Sequence, residues 1–216
     1  MRDGATRGNV GSLSASSDKQ RLRQRLRLAR SRRSAEQDAA ASAEIATRLR
    51  TDPLFVAARS IAAFVGVTGE PDTRPVLEAA LADGKTLWLP RVLDGRRGLT
   101  ELVAVTSLDV LQPRAFGLLE PGSIAGERTT TAITAELGVD LVLVPGLAFG
   151  RDGARLGHGP GHYDRLLAPV RDADPPRRWG VCFDDFVDPS GAAIPIEAHD
   201  VPMHAIVTER ATIACR

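Results

Sequence analysis

One continuous stretch of the chain, residues 141–164, constrains the fold more than any other. Its first residues, Leu141–Val144, are apolar and precede a proline, which is typical of a short strand buried on both faces. A loop with Gly157, Gly159 and Gly161 at alternate positions then leads into a helical pattern. A strand, a glycine-rich loop and a helix start present backbone N–H groups to a phosphate, so this stretch predicts a nucleotide site.

The loop matches neither common phosphate motif, because its spacing is G-x-G-x-G and no Lys-Ser/Thr pair ends it. An ordinary turn between strand and helix is therefore an open alternative. The density of polar side chains favours a ligand site; these are Arg155, His158, His162, Tyr163 and Asp164. Zinc is a weaker alternative, since the i, i+4 spacing of the two histidines loses its helical meaning across Gly-Pro-Gly.

Length and composition indicate one soluble globular domain. The chain has 216 residues, is 43% hydrophobic and 25% charged, and carries a formal net charge of +1, which offers no overall field for nucleic acid or an anionic membrane. Two cysteines, and no apolar run of about 18 residues, predict a cytoplasmic protein. Residues 1–17 are predicted as a disordered lead and residues 18–216 as the single domain.

The rest of the sequence alternates between strand and helix patterns, which predicts an α/β fold: a three-layer, largely parallel sheet with helices on both faces. The predicted strands are 60–65, 85–89 (stopped by Pro90), 101–105, 140–144, 178–183 and 204–208. The predicted helices start at Asp18, at the capping box of Ser34 and Gln37, at the N-cap Thr73 (to 83), at 129 (to 137) and after the glycine loop. Ligands of such sheets bind beyond the carboxyl ends of the strands.

The first predicted helix is strongly basic, with eight Lys or Arg residues within 19–33. Lys19 and Arg23 are four residues apart and share one helical face, where they can bind adjacent phosphates. The other six are interpreted as a solvated face. RNA binding through this helix is a weaker alternative, because aromatic residues are not interleaved with the basic ones.

Three carboxylates are candidates for the chemistry. Asp164 lies in the first helical turn after the glycine loop, where it would repel a bare phosphate unless Mg²⁺ lay between them. Asp200, in a late loop, is the candidate for a second magnesium ligand. Glu70 follows the first predicted strand and has no role in a turn or cap, so it is placed to meet a substrate.

From about Lys19 to Glu209 the chain resembles the 5-formyltetrahydrofolate cyclo-ligases, also called 5,10-methenyltetrahydrofolate synthetases. The most specific match is Val144–Phe149 followed by the loop Arg155–Arg165. The weaker matching segments are Lys19-x-x-x-Arg23, Glu70–Thr73, Leu89-Pro90, Phe116–Pro121 and His199-Asp200.

The resemblance implies a monomeric enzyme of NagB/RpiA/CoA-transferase-like architecture. Such an enzyme would use ATP and Mg²⁺ to convert 5-formyltetrahydrofolate into 5,10-methenyltetrahydrofolate, ADP and phosphate. The implied ATP contacts are Lys19, Arg23, Arg155, Leu156, Gly157, His158, Gly159, Pro160, Gly161, His162 and Tyr163. The implied folate contacts are Val65, Glu70, His158, Gly159, Pro160, Gly161 and His162. Asp164 and Asp200 would bind Mg²⁺, and Glu70, Arg155 and His162 would be catalytic.

Two loop residues depart from the family pattern, which commonly reads Gly-x-Gly-(Lys or Gly)-Gly-Tyr-Tyr-Asp. Pro160 stiffens the loop and removes one backbone donor, and His162 replaces the first tyrosine. A non-catalytic or regulatory relative that binds nucleotide or folate is therefore the alternative function.

Overall fold

The computed structural model describes residues 10–114, 117–189 and 193–216. The α-helices in these parts are α1 Val10–Arg30, α2 Ala35–Thr51, α3 Pro53–Ala57, α4 Arg74–Ala82 and α5 His162–Leu167. The strands are β1 Ser60–Ala62, β2 Thr86–Asp94, β3 Leu99–Val105, β4 Leu111–Pro113, β5 Leu119–Pro121, β6 Thr129–Thr130, β7 Leu141–Pro145, β8 Ala148–Phe149, β9 Arg155–Leu156, β10 Arg177–Val181, β11 Ala205–Val207 and β12 Thr212–Ala214. None of the helices described is both long and apolar enough to cross a membrane.

The main sheet has eight strands in the order β12-β11-β10-β7-β1-β2-β3-β6. The central set from β11 to β2 is parallel, and the antiparallel strands β12, β3 and β6 extend it at its edges. This arrangement confirms the predicted α/β fold with a largely parallel sheet.

The chain reverses its direction across the sheet between β1 and β7. From β1 it passes through α4 to the neighbouring β2, whereas from β7 it passes through α5 to β10 on the other side. Because such crossovers are right-handed, the two connections place α4 and α5 on opposite faces of the sheet. The carboxyl ends of β1 and β7 therefore flank the crevice in which open α/β sheets bind ligands.

The core forms around the apolar central strands. All of β1 and four of the five residues of β7 are buried. Helix α2 packs against α4 and buries Ile45, while α4 buries Leu77. The predicted capping box at the start of α2 is confirmed: Ser34 Oγ accepts from the Gln37 N–H, and the Gln37 side chain accepts from the Ser34 N–H.

The structure corrects two of the predicted helices. Helix α1 begins at Val10, eight residues before the predicted start at Asp18, and residues 1–9 of the predicted lead lie outside the described residues. The predicted helix 129–137 is wrong, because its first two threonines pair with β3 as β6 and only Ala135–Leu137 forms a 3-10 turn. Threonine is β-branched and favours a strand over a helix.

The predicted end of β2 at Pro90 is also wrong, since the strand continues to Asp94. The Trp88 carbonyl accepts from the Ala63 N–H on the β1 side, so Pro90, two residues later, faces that same side. Since β1 pairs with β2 only up to Trp88, the N–H that proline lacks is not needed there.

Thr73 is the N-cap residue of α4, but its hydroxyl donates to the Phe64 carbonyl at 2.6 Å instead of capping the helix.

A close backbone contact at Gly153 holds the β8–β9 hairpin against the segment before β11. Gly153 has a φ of +87°, and a Cβ there would lie 2.5 Å from the Met203 carbonyl oxygen. The Gly153 carbonyl also accepts a 2.9 Å hydrogen bond from the Met203 N–H. This contact sets the position of the glycine loop, which follows β9, relative to Asp200.

We predict that Gly153→Ala lowers the free energy of unfolding by about 2–4 kcal/mol, because left-handed strain adds to a clash with backbone. Gly138→Ala is the matched control: its φ is +67° but nothing lies within 4 Å of the Cβ position. Strain alone should cost that variant about 1–2 kcal/mol. Urea unfolding measures both losses, and equal values would show that the Met203 contact is not restrictive.

Candidate active site

The glycine loop 157–161 joins β9 to α5. Gly159 and Gly161 have φ values of +140° and +78°, which residues with a side chain rarely adopt. The Pro160 carbonyl accepts a hydrogen bond from the Arg165 guanidinium, one turn into the helix. The predicted sequence of strand, glycine loop and helix is therefore present, with the short β8–β9 hairpin inserted between β7 and the loop.

Four cations of α1 bind the loops at this edge of the sheet. They follow one another at intervals of four, four and three residues and so share one helical face: Lys19, Arg23, Arg27 and Arg30. Arg23 Nε donates to the Gly157 carbonyl and Arg27 Nη2 to the His158 carbonyl, both at 3.0 Å. The predicted ATP contact Arg23 is thus bonded directly to the glycine loop.

The interpretation of the other six basic residues as a solvated face is wrong for Arg30 and for Arg33, whose side chain is 13% exposed and pairs with Asp38. Arg27 is exposed, but it also binds the glycine loop. Arg30 is buried, donates to the carbonyls of Gly146 and Leu147 after β7, and lies 4.9 Å over the Phe186 ring. Burial lowers the pKa of Arg30, and the charge of nearby Glu70 opposes this effect. The sequence signal for Arg27 and Arg30 is the spacing of Lys19 and Arg23 continued along the helix.

Glu70 lies between Arg30 and the glycine loop. Its side chain is 7% exposed, and Oε1 is 2.9 Å from His158 Nε2 and 3.8 Å from Arg30 Nη1. The structure therefore brings together two of the predicted folate contacts, one from beyond β1 and one from the loop. Val65, a further predicted contact, packs half-buried against the core.

Arg155 links β9 to the first turn of α5 through an ion pair with Asp164. Arg155 Nη2 lies 2.6 Å from Asp164 Oδ2, and Asp164 Oδ1 accepts from the Val201 N–H at 3.3 Å. Burial acts to raise the pKa of Asp164, but the charge and hydrogen bond of Arg155 outweigh it and hold that pKa below its ordinary value. Asp164 is therefore ionised at neutral pH.

The Tyr163 hydroxyl is buried and has no hydrogen-bond partner within the described residues. Burial, and then the charge of Glu70, raise the pKa of this phenol, so it keeps its proton. The Arg155 guanidinium lies 5.8 Å from the centre of the Tyr163 ring. A protonated hydroxyl without an acceptor, beside these charged groups, is a donor available to a ligand.

His162 bonds the start of α5 to β3, because its Nδ1 lies 2.5 Å from Thr100 Oγ1. Burial lowers the pKa of the imidazole, and the charges of Arg165 and Arg155 lower it further. His162 is therefore neutral at pH 7 and takes part in the site as a hydrogen-bonding group, not as a cation.

The turn before Val201 carries a cluster of acidic groups. Lys19 Nζ lies 2.6 Å from Asp200 Oδ2 and 2.8 Å from Glu197 Oε2. Ligand atoms of Glu197, His199 and Asp200 all lie within 4.8 Å of one another, and carboxylate oxygens are the ligands that Mg²⁺ prefers.

Asp200, one predicted magnesium ligand, belongs to this group. Asp164, the other, is bonded to Arg155 and to the neighbouring Val201 N–H. The sequence prediction missed Glu197, whose signal is its position three residues before Asp200 in a turn.

Comparisons with known proteins point to one family. A model of the 5-formyltetrahydrofolate cyclo-ligase family matches residues 15–209. The 5-formyltetrahydrofolate cyclo-ligase of Mycolicibacterium smegmatis is 30% identical over 190 residues, which cover 76% of this chain and 80% of that protein. The Escherichia coli protein of the same name is 28% identical over 181 residues, which cover 80% of this chain and 90% of that protein.

A solved structure agrees with these matches. The NMR structure of 5,10-methenyltetrahydrofolate synthetase from Aquifex aeolicus has a TM-score of 0.73 and 32% sequence identity, and the match covers 92% of this chain and 93% of that chain. Because the family model spans most of the sequence and the fold agrees over nearly its whole length, the chain belongs to the 5-formyltetrahydrofolate cyclo-ligase family and is a ligase.

Proposed function

We propose that the protein uses ATP and Mg²⁺ to convert 5-formyltetrahydrofolate into 5,10-methenyltetrahydrofolate, with ADP and phosphate as the other products. Membership of the family supports the cyclisation. The main observation in support of a role for ATP is that Arg23 and Arg27 contact the glycine loop. It concentrates positive charge beside a backbone that can approach an anion closely, which is a suitable setting for a polyphosphate. We expect the enzyme to act as a cytoplasmic monomer.

The reaction needs activation of a poorly reactive formamide. Transfer of the γ-phosphoryl group to the formyl oxygen turns that oxygen into a leaving group, N10 of the folate then attacks the carbon, and phosphate departs. Phosphoryl transfer requires mainly positioning and neutralisation of charge. Arg23 and Arg155 supply fixed positive charge for that purpose, and no side-chain nucleophile is required.

Glu70 is proposed to orient the folate. Its carboxylate sits beyond the end of β1 and now bonds to His158, so a substrate N–H group would replace the imidazole at Oε1. Burial and the charge of Glu70 keep the Tyr163 hydroxyl protonated. This hydroxyl has no partner among the described residues, so it can donate to the folate or to a phosphate oxygen.

Asp164 and Asp200 are proposed to hold Mg²⁺, which would neutralise charge on the phosphates when bound. The lowered pKa of Asp164 supports this role, because metal ligation needs the ionised carboxylate. Asp200 contributes a second carboxylate from the turn that contains Glu197 and His199.

A nucleotide-binding relative without turnover is the second candidate, and it rests on the loop residues that depart from the family pattern. Pro160 offers no N–H, and its carbonyl is occupied by Arg165. His162 is bonded to Thr100 on the neighbouring strand. Both contacts restrict how far the loop can adjust around a phosphate.

The decisive assay supplies the protein with 5-formyltetrahydrofolate and MgATP. We expect a product that absorbs in the near ultraviolet and that does not form without ATP. Asp164→Asn should lower the rate about 100-fold or more, because it removes the partner of Arg155 and a proposed metal ligand. Asp83→Asn is the control, since that side chain is 56% exposed and pairs with Lys85 at the end of α4. ATP binding with no product at high enzyme concentration would favour the second candidate.

The pH dependence of the rate tests the role of His162. Protonation, which occurs below the ordinary imidazole pKa of 6.5, adds a charge that repels Arg155 and so disturbs the ion pair of Arg155 with Asp164. The wild-type kcat/KM should therefore fall at acid pH. His162→Tyr, whose phenol does not titrate there, should show a flatter acid limb between about pH 5 and 7. Superimposable acid limbs for the two proteins would rule out this role.

A further inference from the structure

Lys19 is held by acidic side chains in a way that conflicts with its binding a phosphate. Its ammonium lies 2.6 Å from Asp200 and 2.8 Å from Glu197, and its side chain is 5% exposed. An ammonium has three N–H donors, and two are used by these carboxylates. One N–H remains free, but a side chain that is 5% exposed has to move away from these carboxylates before it can reach a nucleotide.

The turn holds the Asp200 carboxylate independently of Lys19 and keeps the backbone of Glu197 beside it. The Glu197 N–H donates to Asp200 Oδ2 at 2.8 Å, and the Asp200 N–H donates to the Glu197 carbonyl at 3.0 Å. If Lys19 moved away, Glu197 and Asp200 would remain neighbours in this turn, and the ammonium would no longer balance their charges. Loss of one partner from a buried ion pair is strongly unfavourable unless another cation replaces it.

A divalent cation fits the place that the ammonium occupies. The ligand atoms of Glu197, His199 and Asp200 are within 4.8 Å of one another, and hard divalent ions prefer carboxylate oxygens. One divalent ion also balances the charges of both carboxylates, which a single ammonium does not.

We propose that Lys19 is an internal counter-ion that is exchanged when nucleotide and metal bind together. The divalent ion takes its place between Glu197 and Asp200, and the released ammonium moves to the phosphates. Glu197 is then a positioning residue that makes nucleotide binding depend on metal, because a metal-free nucleotide must detach Lys19 without a replacement. This inference rests on the proposed binding of ATP.

Calorimetric titration with adenylyl imidodiphosphate, without folate, tests the exchange in the full-length protein. The wild type should bind this analogue more tightly in excess Mg²⁺ than in EDTA. Glu197→Gln should bind it about 5-fold or more tightly than the wild type in EDTA, because Lys19 is held less strongly, and no more tightly in Mg²⁺. Glu197→Asp, which keeps the charge, should restore the wild-type metal dependence.

If Glu197→Gln instead damaged the structure, it would weaken binding of the analogue both in EDTA and in Mg²⁺. Asp38→Asn is the matched control: Asp38 pairs with Arg33 at 2.6 Å, and Arg33 binds Asp185. This variant should leave the ratio of the two affinities unchanged. Unaltered metal-free affinity in Glu197→Gln, with normal binding in Mg²⁺, would overturn the exchange and leave the proposed function intact.

A second measurement needs no nucleotide. Titration with Mn²⁺ alone, followed by electron paramagnetic resonance, should show Lys19→Met binding the ion about 5-fold or more tightly than the wild type, because the competing ammonium is gone. Equal Mn²⁺ affinities would overturn the proposal even if the analogue did not bind to any variant.

Discussion

Charge pairing between α1 and the loops beyond the sheet is the interaction on which the site depends. Leu26 is buried, but much of the contact made by α1 comes from its basic face. Arg23, Arg27 and Arg30 bind loop carbonyls, and Lys19 binds carboxylates. Buried charges are tolerated only with such partners, so the helix and the loops fix each other's positions.

This pairing explains why the site is built from distant parts of the chain. Glu70 follows β1, Asp164 follows the glycine loop, and Asp200 lies in a late turn, yet each is close to a cation from another element. A ligand that binds these carboxylates must therefore replace partners that they already have. Ionised carboxylates and arginines held in this way are pre-organised for a charged substrate, which suits phosphoryl transfer.

Prediction from sequence worked best where local chemistry decides the structure. The apolar run of β7, the glycine loop and the capping box of Ser34 depend on residues close together in the chain, and all three are present. It failed at 129–137, where pairing with β3 overrides a weak helical pattern, and at Pro90, where the end of β1 removes the need for a donor. Both errors concern partners that lie far away in the sequence.

The residues of the candidate site also fall into two groups, those predicted from the sequence and those identified only in the structure. The sequence by itself determined the family, the α/β class and the glycine loop as a candidate ligand site, because these follow from residue types and spacings within short segments. Only the tertiary structure decided that Arg27, Arg30 and Glu197 belong to the site and that Lys19 faces carboxylates. Their positions depend on electrostatic contacts between segments more than 100 residues apart, as in the separations of 178 and 181 between Lys19 and its two partners. Local spacing marks these residues as candidates, but it does not specify which distant group each of them contacts.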